Sequence, residues 1–338
     1  MIAPKHLALS IAAAGIIGWS CGQSSSSPTE VDAGVDAETA DAEIDDRGFD
    51  ATNDGGSSTS DRIASLDILS GAACVLFEDG RFDCWAADPE LSLEERYSID
   101  YSIRFRELRI SGLGICGIDL GDHVRCFGFD TPSLTGRYRG LDIGVDGEVC
   151  ALGLDGTVAC DPGGNFGGAG EWVLDVEFSG AFDDFAVGRG WGCGLLASGA
   201  LECSEHPFDG RPGYSAPQQQ HRTIEGKHQV VCGLRADQGV ECWGYFVDAS
   251  QRTYPTSGEF TTLTFSGSSG CVLNPDGQPT CWPDIGADPP DIRLKLIDTW
   301  SSRVTCGVTL DDKVLCWGSE AADLNAAIPP EIAYQPEP

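Results

Sequence analysis

Basic residues are scarce in this 338-residue chain: 21 Lys and Arg stand against 53 Asp and Glu, a formal net charge of −32. Binding a phosphate backbone needs a basic footprint, so this balance excludes nucleic acid as a partner. Histidine is scarce too. Of the five, His6 lies in the N-terminal stretch and His123 on a strand, and His206, His221 and His228 share no ligand spacing. The chain has no H-E-x-x-H, G-x-S-x-G elbow, P-loop or dinucleotide fingerprint. Catalytic residues, a metal site and cofactors are therefore not expected. Carboxylate pairs such as Asp183-Asp184 and Asp311-Asp312 are common in so acidic a chain, and without a cleft they carry no acid/base role. A membrane-spanning run is missing as well: Leu7 to Trp19 is apolar but too short to cross as a helix.

What the sequence does have is cysteine in strict register. Fourteen of its fifteen cysteines form seven pairs with one internal spacing, C-x9-C. They are Cys74 with Cys84, Cys116 with Cys126, Cys150 with Cys160, Cys193 with Cys203, Cys232 with Cys242, Cys271 with Cys281 and Cys306 with Cys316. Such repetition means an array of one structural unit. Inside each pair, apolar residues two positions in from either cysteine (Leu76 and Phe82, Ile118 and Val124, Leu152 and Val158) flank a turn such as Asp79-Gly80, Asp155-Gly156 or Asp276-Gly277. That pattern describes a β-hairpin with one buried face. A three-residue loop ending in a left-handed glycine sets the two cysteines opposite each other on a non-hydrogen-bonded pair, where a disulfide fits. Zinc would want closer ligand pairs, and reduced core cysteines are the other alternative. A disulfide inside each hairpin is expected.

Successive first cysteines lie 34 to 43 residues apart. A hairpin uses about a dozen of these, leaving room for two more short strands. One is visible just upstream as Leu66-Asp67-Ile68, Leu108-Arg109-Ile110, Leu141-Asp142-Ile143, Leu263-Thr264-Phe265 and Leu294-Lys295-Leu296. Four short strands per period of about 40 residues is the signature of a β-propeller blade, and seven blades can close a ring.

The repeat resembles the regulator of chromosome condensation repeat family in its cysteine-bearing bacterial form. The resemblance rests on Cys232-Gly233-Leu234 with Val240-Glu241-Cys242-Trp243-Gly244, and on Cys306-Gly307-Val308 with Val314-Leu315-Cys316-Trp317-Gly318. Cys150-Ala151-Leu152 with Asp155-Gly156-Thr157-Val158-Ala159-Cys160 is a third copy. It covers about residues 62–327 and implies an all-β, seven-bladed propeller. The Asn…Gly-Gln-Leu-Gly continuation of that family is missing, and Asp161-Pro162 and Ser204-Glu205 replace Trp-Gly in the third and fourth copies. Nothing about nucleotide exchange or chromatin follows from it.

Three segments are expected. Residues 1–21 resemble a bacterial lipoprotein signal ending at Cys21, the cysteine left outside the array, which would carry the lipid. Cleavage among Ala12-Ala13-Ala14, leaving Cys21 as a free thiol, is the alternative. Residues 22–61 hold eleven acids against one Arg between serine tracts, which predicts a disordered tether. Calcium binding there lacks the loop motif it would need. Residues 62–338 form the propeller. Export to an oxidising compartment accounts for the cysteines and points to the cell envelope, at the outer membrane or cell surface. Trp85, Trp243, Trp282 and Trp317, each after a second cysteine, read as blade packing. Trp191 and Trp300 stand in the loops before first cysteines, beside Arg189 and Arg303, and those four are the candidate binding residues. Asp146, Lys227 and His228 belong to the same loop face. The expected function is a non-enzymatic, lipid-anchored module binding a protein or glycan. Its rivals are a hydrolase with an acidic site in the central funnel and a purely structural envelope protein. Convergent carboxylates in the channel would favour the hydrolase; a flat face with exposed Trp and Arg would favour binding.

Overall fold

In the computed structural model the described residues run from 61 to 335, apart from 70, 89, 129–132, 145–146, 162–179, 189–190, 204–216, 228–229, 238, 245–253, 267–268, 283–287 and 301–302. The expected signal, Cys21 and almost all of the tether therefore lie outside them. The described chain folds into seven antiparallel sheets, each three consecutive strands in the order first, middle, last. The first strands are Ile63–Leu69, Phe105–Ile110, Tyr138–Ile143, Phe182–Gly188, His221–Lys227, Thr262–Ser266 and Leu294–Trp300. They lie side by side around a common centre, and each cysteine hairpin supplies the other two strands of its blade. The ring is closed, and the fold is a seven-bladed β-propeller.

Every C-x9-C pair is a disulfide within its own hairpin. Cys74 is bonded to Cys84, Cys116 to Cys126, Cys150 to Cys160 and Cys193 to Cys203. Cys232 is bonded to Cys242, Cys271 to Cys281 and Cys306 to Cys316. In each case the two cysteines are direct partners in the strand register. Their α-carbons stand 4.0–4.1 Å apart, the close approach of a non-hydrogen-bonded pair. Burial differs across the bond. All seven first cysteines, on middle strands, are buried. Of their partners on the last strands, Cys84, Cys126, Cys160, Cys203 and Cys281 are only half-buried, because those strands form the outer edges of their sheets. Cys242 and Cys316 are buried.

In the first hairpin Phe77 N–H donates to Arg81 C=O, leaving a three-residue loop with Gly80 at φ 83°. Blades 2 and 7 put Asp122 and Asp312 at the left-handed position instead, which aspartate tolerates better than most residues. Glycine after the first cysteine has a different reason. A Cβ on Gly117 or Gly194 would overlap the ring of Phe105 or Phe182, which folds over it.

Apolar burial lies between blades. Seven apolar clusters among the described residues match the seven interfaces, the last joining Val304, Cys306 and Val308 of blade 7 to Ile63, Ile68 and Val75 of blade 1. Each disulfide faces the following blade. Trp85, Trp243, Trp282 and Trp317 face the preceding one, so a tryptophan packs toward its neighbour's disulfide.

Two expectations are corrected. The fourth strand does not form among the described residues. Between blades 1 and 2 the chain instead makes α1 (Leu93–Tyr97), whose N-cap Ser92 accepts from Glu95 N–H and whose Leu93 and Tyr97 are buried. After blade 7 it makes α2 (Ala321–Ala327), and Asn325 accepts from Cys316 N–H at 2.8 Å and donates to Cys316 C=O at 2.7 Å. That amide, together with an isolated parallel bridge between Val314 and Ala333, covers the sheet edge where a full strand would pair. The second correction concerns Leu294-Lys295-Leu296, which is not the counterpart of Leu66-Asp67-Ile68. A β-bulge shifts the register after Leu294, so the equivalent segment is Ile297-Asp298-Thr299.

The bulge recurs at Ala64, Arg106, Arg139, Asp183 and Arg222. Where the bulged residue is basic it reaches the next blade. Arg106 donates to Tyr138 C=O, Arg139 to Phe182 C=O at 2.5 Å, Arg222 to Phe260 C=O at 2.9 Å and Lys295 to Ile63 C=O at 2.7 Å.

Candidate functional site: a charged funnel on the ring axis

The residue paired with each first cysteine sits on the innermost strand. Around the ring these are Asp67, Arg109, Asp142, Ala186, Glu225, Thr264 and Asp298. A propeller strand at this position touches its counterparts in neighbouring blades, so its charges converge. They line a cavity of about 180 Å³, with Lys227 and Trp300 two residues further along their strands.

Main-chain bonds between blades hold three of the carboxylates. Asp298 accepts from Ile68 N–H at 2.8 Å, Asp67 from Ile110 N–H at 2.8 Å and Asp142 from Val187 N–H at 2.8 Å. Asp298 is also braced by Thr264 Oγ1 at 2.6 Å and by its neighbour Thr299 N–H at 2.8 Å. Glu225 differs: its carboxylate has no hydrogen bond or ion pair among the described residues, though it lines the cavity. The cations are engaged. Arg109 stands 3.0 Å from Glu107, and Lys227 stands 3.7 Å from Asp298 with its ammonium 5.8 Å from the Trp300 ring centre.

Packing so many charges together moves their protonation. Burial, and then the Asp298 charge, raise Asp67 to about 7 against the pull of Lys227, Arg109 and the Ile110 N–H. Burial raises Asp142 to about 6, opposed by the Val187 N–H and Arg109. Glu225 rises to about 8 through burial and the nearby Asp142 and Asp184, with Arg109 and Lys227 acting against it. Burial alone would lower Lys227, but Asp298, Asp67, Glu225 and Asp142 outweigh it and hold the ammonium above its ordinary value. The funnel thus gathers four carboxyl groups around two cations, and burial keeps Glu225 and part of Asp67 protonated near neutral pH, so its negative charge develops as pH rises.

Sequence-predicted binding residues are distributed unevenly around it. Trp300 lines the cavity and is half-buried. Arg303 is exposed and pairs with Glu320 at 2.6 Å, away from the cavity. Trp191 is not on a loop. It begins the middle strand Trp191–Leu196, is 5% exposed and packs with Ala186, Ile224 and Val231 between blades 4 and 5. Its indole fills the space above Gly226, so it is core. Arg189, Asp146 and His228 lie outside the described residues. Lys227 is brought to the mouth of the funnel.

The charged ring is a site that sequence reasoning misses. Its signal is a column seven or eight residues before six of the seven first cysteines, a polar residue directly after an apolar one at Asp67, Arg109, Asp142, Glu225, Thr264 and Asp298. The six-way coincidence is meaningful only once the strands are known to meet on one axis.

No family model matches the chain. Among solved structures it is similar to the CRINKLY WD40 ectodomain of the receptor kinase ACR4 from Arabidopsis thaliana. That match has 18% identity and a TM-score of 0.60, covering 76% of this chain and 94% of that one. It is also similar to the entire ectodomain of the receptor kinase CR4 from Physcomitrella patens, at 21% identity and a TM-score of 0.62 over 76% and 73% of the two chains. Prp20p from Saccharomyces cerevisiae aligns at 11% identity and a TM-score of 0.41 over 78% and 74%, too remote to support any argument. These likenesses concern the fold. Seven disulfides suit an oxidising compartment. Among the described residues no helix is long and apolar enough to cross a membrane.

Proposed function

We propose that this chain is an exported, non-enzymatic binding module, held at the cell envelope by a lipid on Cys21, that takes a protein or glycan partner on the funnel face. The observation that carries this reading is the axial cavity with Trp300 and Lys227 at its mouth. An aromatic ring beside a small set of charges is how a recognition site combines contact area with orientation. Arg303 belongs to a loop of the same face. The two receptor ectodomains with this fold also stand outside a cell, which supports the compartment and leaves the partner open.

The test is capture from envelope extract and on glycan surfaces with the mature protein, comparing wild type with Trp300→Ala. A partner retained by wild type and weakened by about 2 kcal/mol or more in the variant supports the reading. A partner held equally by both removes the funnel face from recognition.

The convergent carboxylates favour a second reading, a hydrolase. Against it, Asp67, Asp142 and Asp298 already accept main-chain N–H groups of neighbouring blades, a structural task. Turnover of glycoside or peptide substrates that is lost in both Glu225→Gln and Asp142→Asn would favour the enzyme.

A further inference from the structure

Closing seven blades leaves a chamber whose volume and charge restrict what it can admit. At about 180 Å³ the chamber has room for a side-chain-sized group. Pockets for drug-sized molecules are larger, from about 300 Å³ upward. Four carboxylates, Asp67, Asp142, Glu225 and Asp298, face two cations, Arg109 and Lys227. Each cation is already engaged, Arg109 by Glu107 and Lys227 by Asp298. Three carboxylates are bound by main-chain N–H groups, and Glu225 faces the cavity with no hydrogen bond or ion-pair contact among the described residues, only the longer-range pull of Arg109 and Lys227. A carboxylate withdrawn from bulk water without a direct hydrogen-bonded counter-charge is costly, so an arriving cation has more to gain there than an anion or a neutral group. The chain's own Lys227 shows the chemistry at work, its ammonium lying between the Asp298 carboxylate and the Trp300 ring.

We infer that the funnel is a receptor site for one organic cation, a primary ammonium or a guanidinium group, with Glu225 as its counter-charge. This rests on the binding reading above and narrows it to a ligand class. Such a group can arrive on a partner's lysine or arginine side chain or on a free small amine. Binding requires Glu225 to be ionised. The groups facing it are Arg109 on blade 2, Asp142 on blade 3, Asp184 on blade 4 and Lys227 on its own strand, with Asp67 and Asp298 completing the chamber. Affinity for the cation therefore rises with pH through the range in which Glu225 loses its proton.

The experiment is calorimetric titration of the full mature chain at low salt and about pH 8.5, above the point where Glu225 ionises. Four probes are used: acetyl-Gly-Lys-Gly-amide, acetyl-Gly-Arg-Gly-amide, 1,4-diaminobutane, and the neutral peptide carrying Nε-acetyl-lysine. At least one cation should bind one-to-one, with the neutral peptide and the Glu225→Gln protein each weaker by about tenfold or more. Asp83→Asn, outside the funnel, should bind as wild type does, and the melting curve of each variant checks that it is folded. Preference for the peptides over the diamine identifies a protein side chain as the source, and the reverse identifies a free amine. Equal binding of the neutral peptide, unchanged binding by folded Glu225→Gln, or no one-to-one binding of any cation would overturn the inference. If cations fail while Trp300→Ala still releases a captured partner, the cation site falls and the binding reading stands.

Discussion

Glu225 is the residue whose ionisation couples most directly to folding. Its carboxyl rises from an ordinary 4.5 to about 8 in the folded protein, chiefly by burial. A raised acid pKa means that the folded state holds the proton longer than the unfolded chain. Its contribution is then fully present below about pH 4.5 and lost as pH rises through about 8. Removing the charge should reverse that loss. Glu225→Gln is expected to be more stable than wild type at pH 8.5 by roughly 1–2 kcal/mol, a figure discounted for the solvent that reaches the cavity. The difference should shrink toward pH 5, and denaturant titrations at the two pH values measure it. Trp191 belongs to the same scale with the opposite lesson. Loop position and an arginine neighbour suggest a contact residue in the sequence, but the side chain is core between blades 4 and 5. Trp191→Ala should cost about 3–5 kcal/mol of stability, read from its unfolding midpoint, because the cavity it leaves cannot collapse between two sheets.

At the scale of the element, each blade solves the same three problems by local chemistry. The hairpin turn and its disulfide fix the middle and last strands. The bulge turns a basic side chain toward the following blade in four of the seven. The outer edge needs a cover, and in blade 7 Asn325 from α2 supplies both bonds at Cys316 while Val314 N–H donates to Ile332 C=O and Val314 C=O accepts from Tyr334 N–H. Asn325→Ala should expose that edge at a cost of about 1–3 kcal/mol, since Cys316 loses a donor and an acceptor together. Faster amide exchange confined to Val314–Trp317 would show the effect; uniform exchange across all seven blades would argue that the edge is held by something else. The disulfides and hairpins were legible from sequence because every determinant lies within eleven residues. How deeply each cysteine sits was not, since Cys84, Cys126, Cys160, Cys203 and Cys281 owe their partial exposure to a sheet edge that the spacing does not encode. The helices replacing the expected fourth strand were equally hidden. An edge can be satisfied by a strand, a helix side chain or a loop, and the period counts residues without distinguishing these.

For the whole molecule, closure depends on a seam between chain-distant residues. Asp312 accepts from Ile63 N–H at 2.6 Å, Lys295 donates to Ile63 C=O, and Asp298 accepts from Ile68 N–H. With the clusters between blades these bonds make blade 7 the neighbour of blade 1 and give the funnel its seventh wall. Attachment to the envelope, as proposed above, is a separate matter that rests on the N-terminal segment of the sequence. Cys21→Ser is expected to release the protein from membranes, since a lipidated cysteine would be the attachment. Fractionation after a high-salt wash checks this, and a variant still bound would mean that another segment anchors the chain.

Sequence alone determined the repeat, its number, the pairing of fourteen cysteines and the hairpin around each turn, because all of these are short-range facts written in spacing and turn chemistry. It also contained the charged column that lines the funnel, though not as a site. Asp67, Arg109, Asp142, Glu225 and Asp298 are spread over more than two hundred residues, and only the closed ring sets them on one axis. Tertiary structure likewise decided which tryptophan is core and which borders a cavity, since Trp191 opens a middle strand and Trp300 closes a first strand, positions that a common loop reading does not separate. What separates them is the neighbour each meets: a packed blade for one, and the axial funnel for the other.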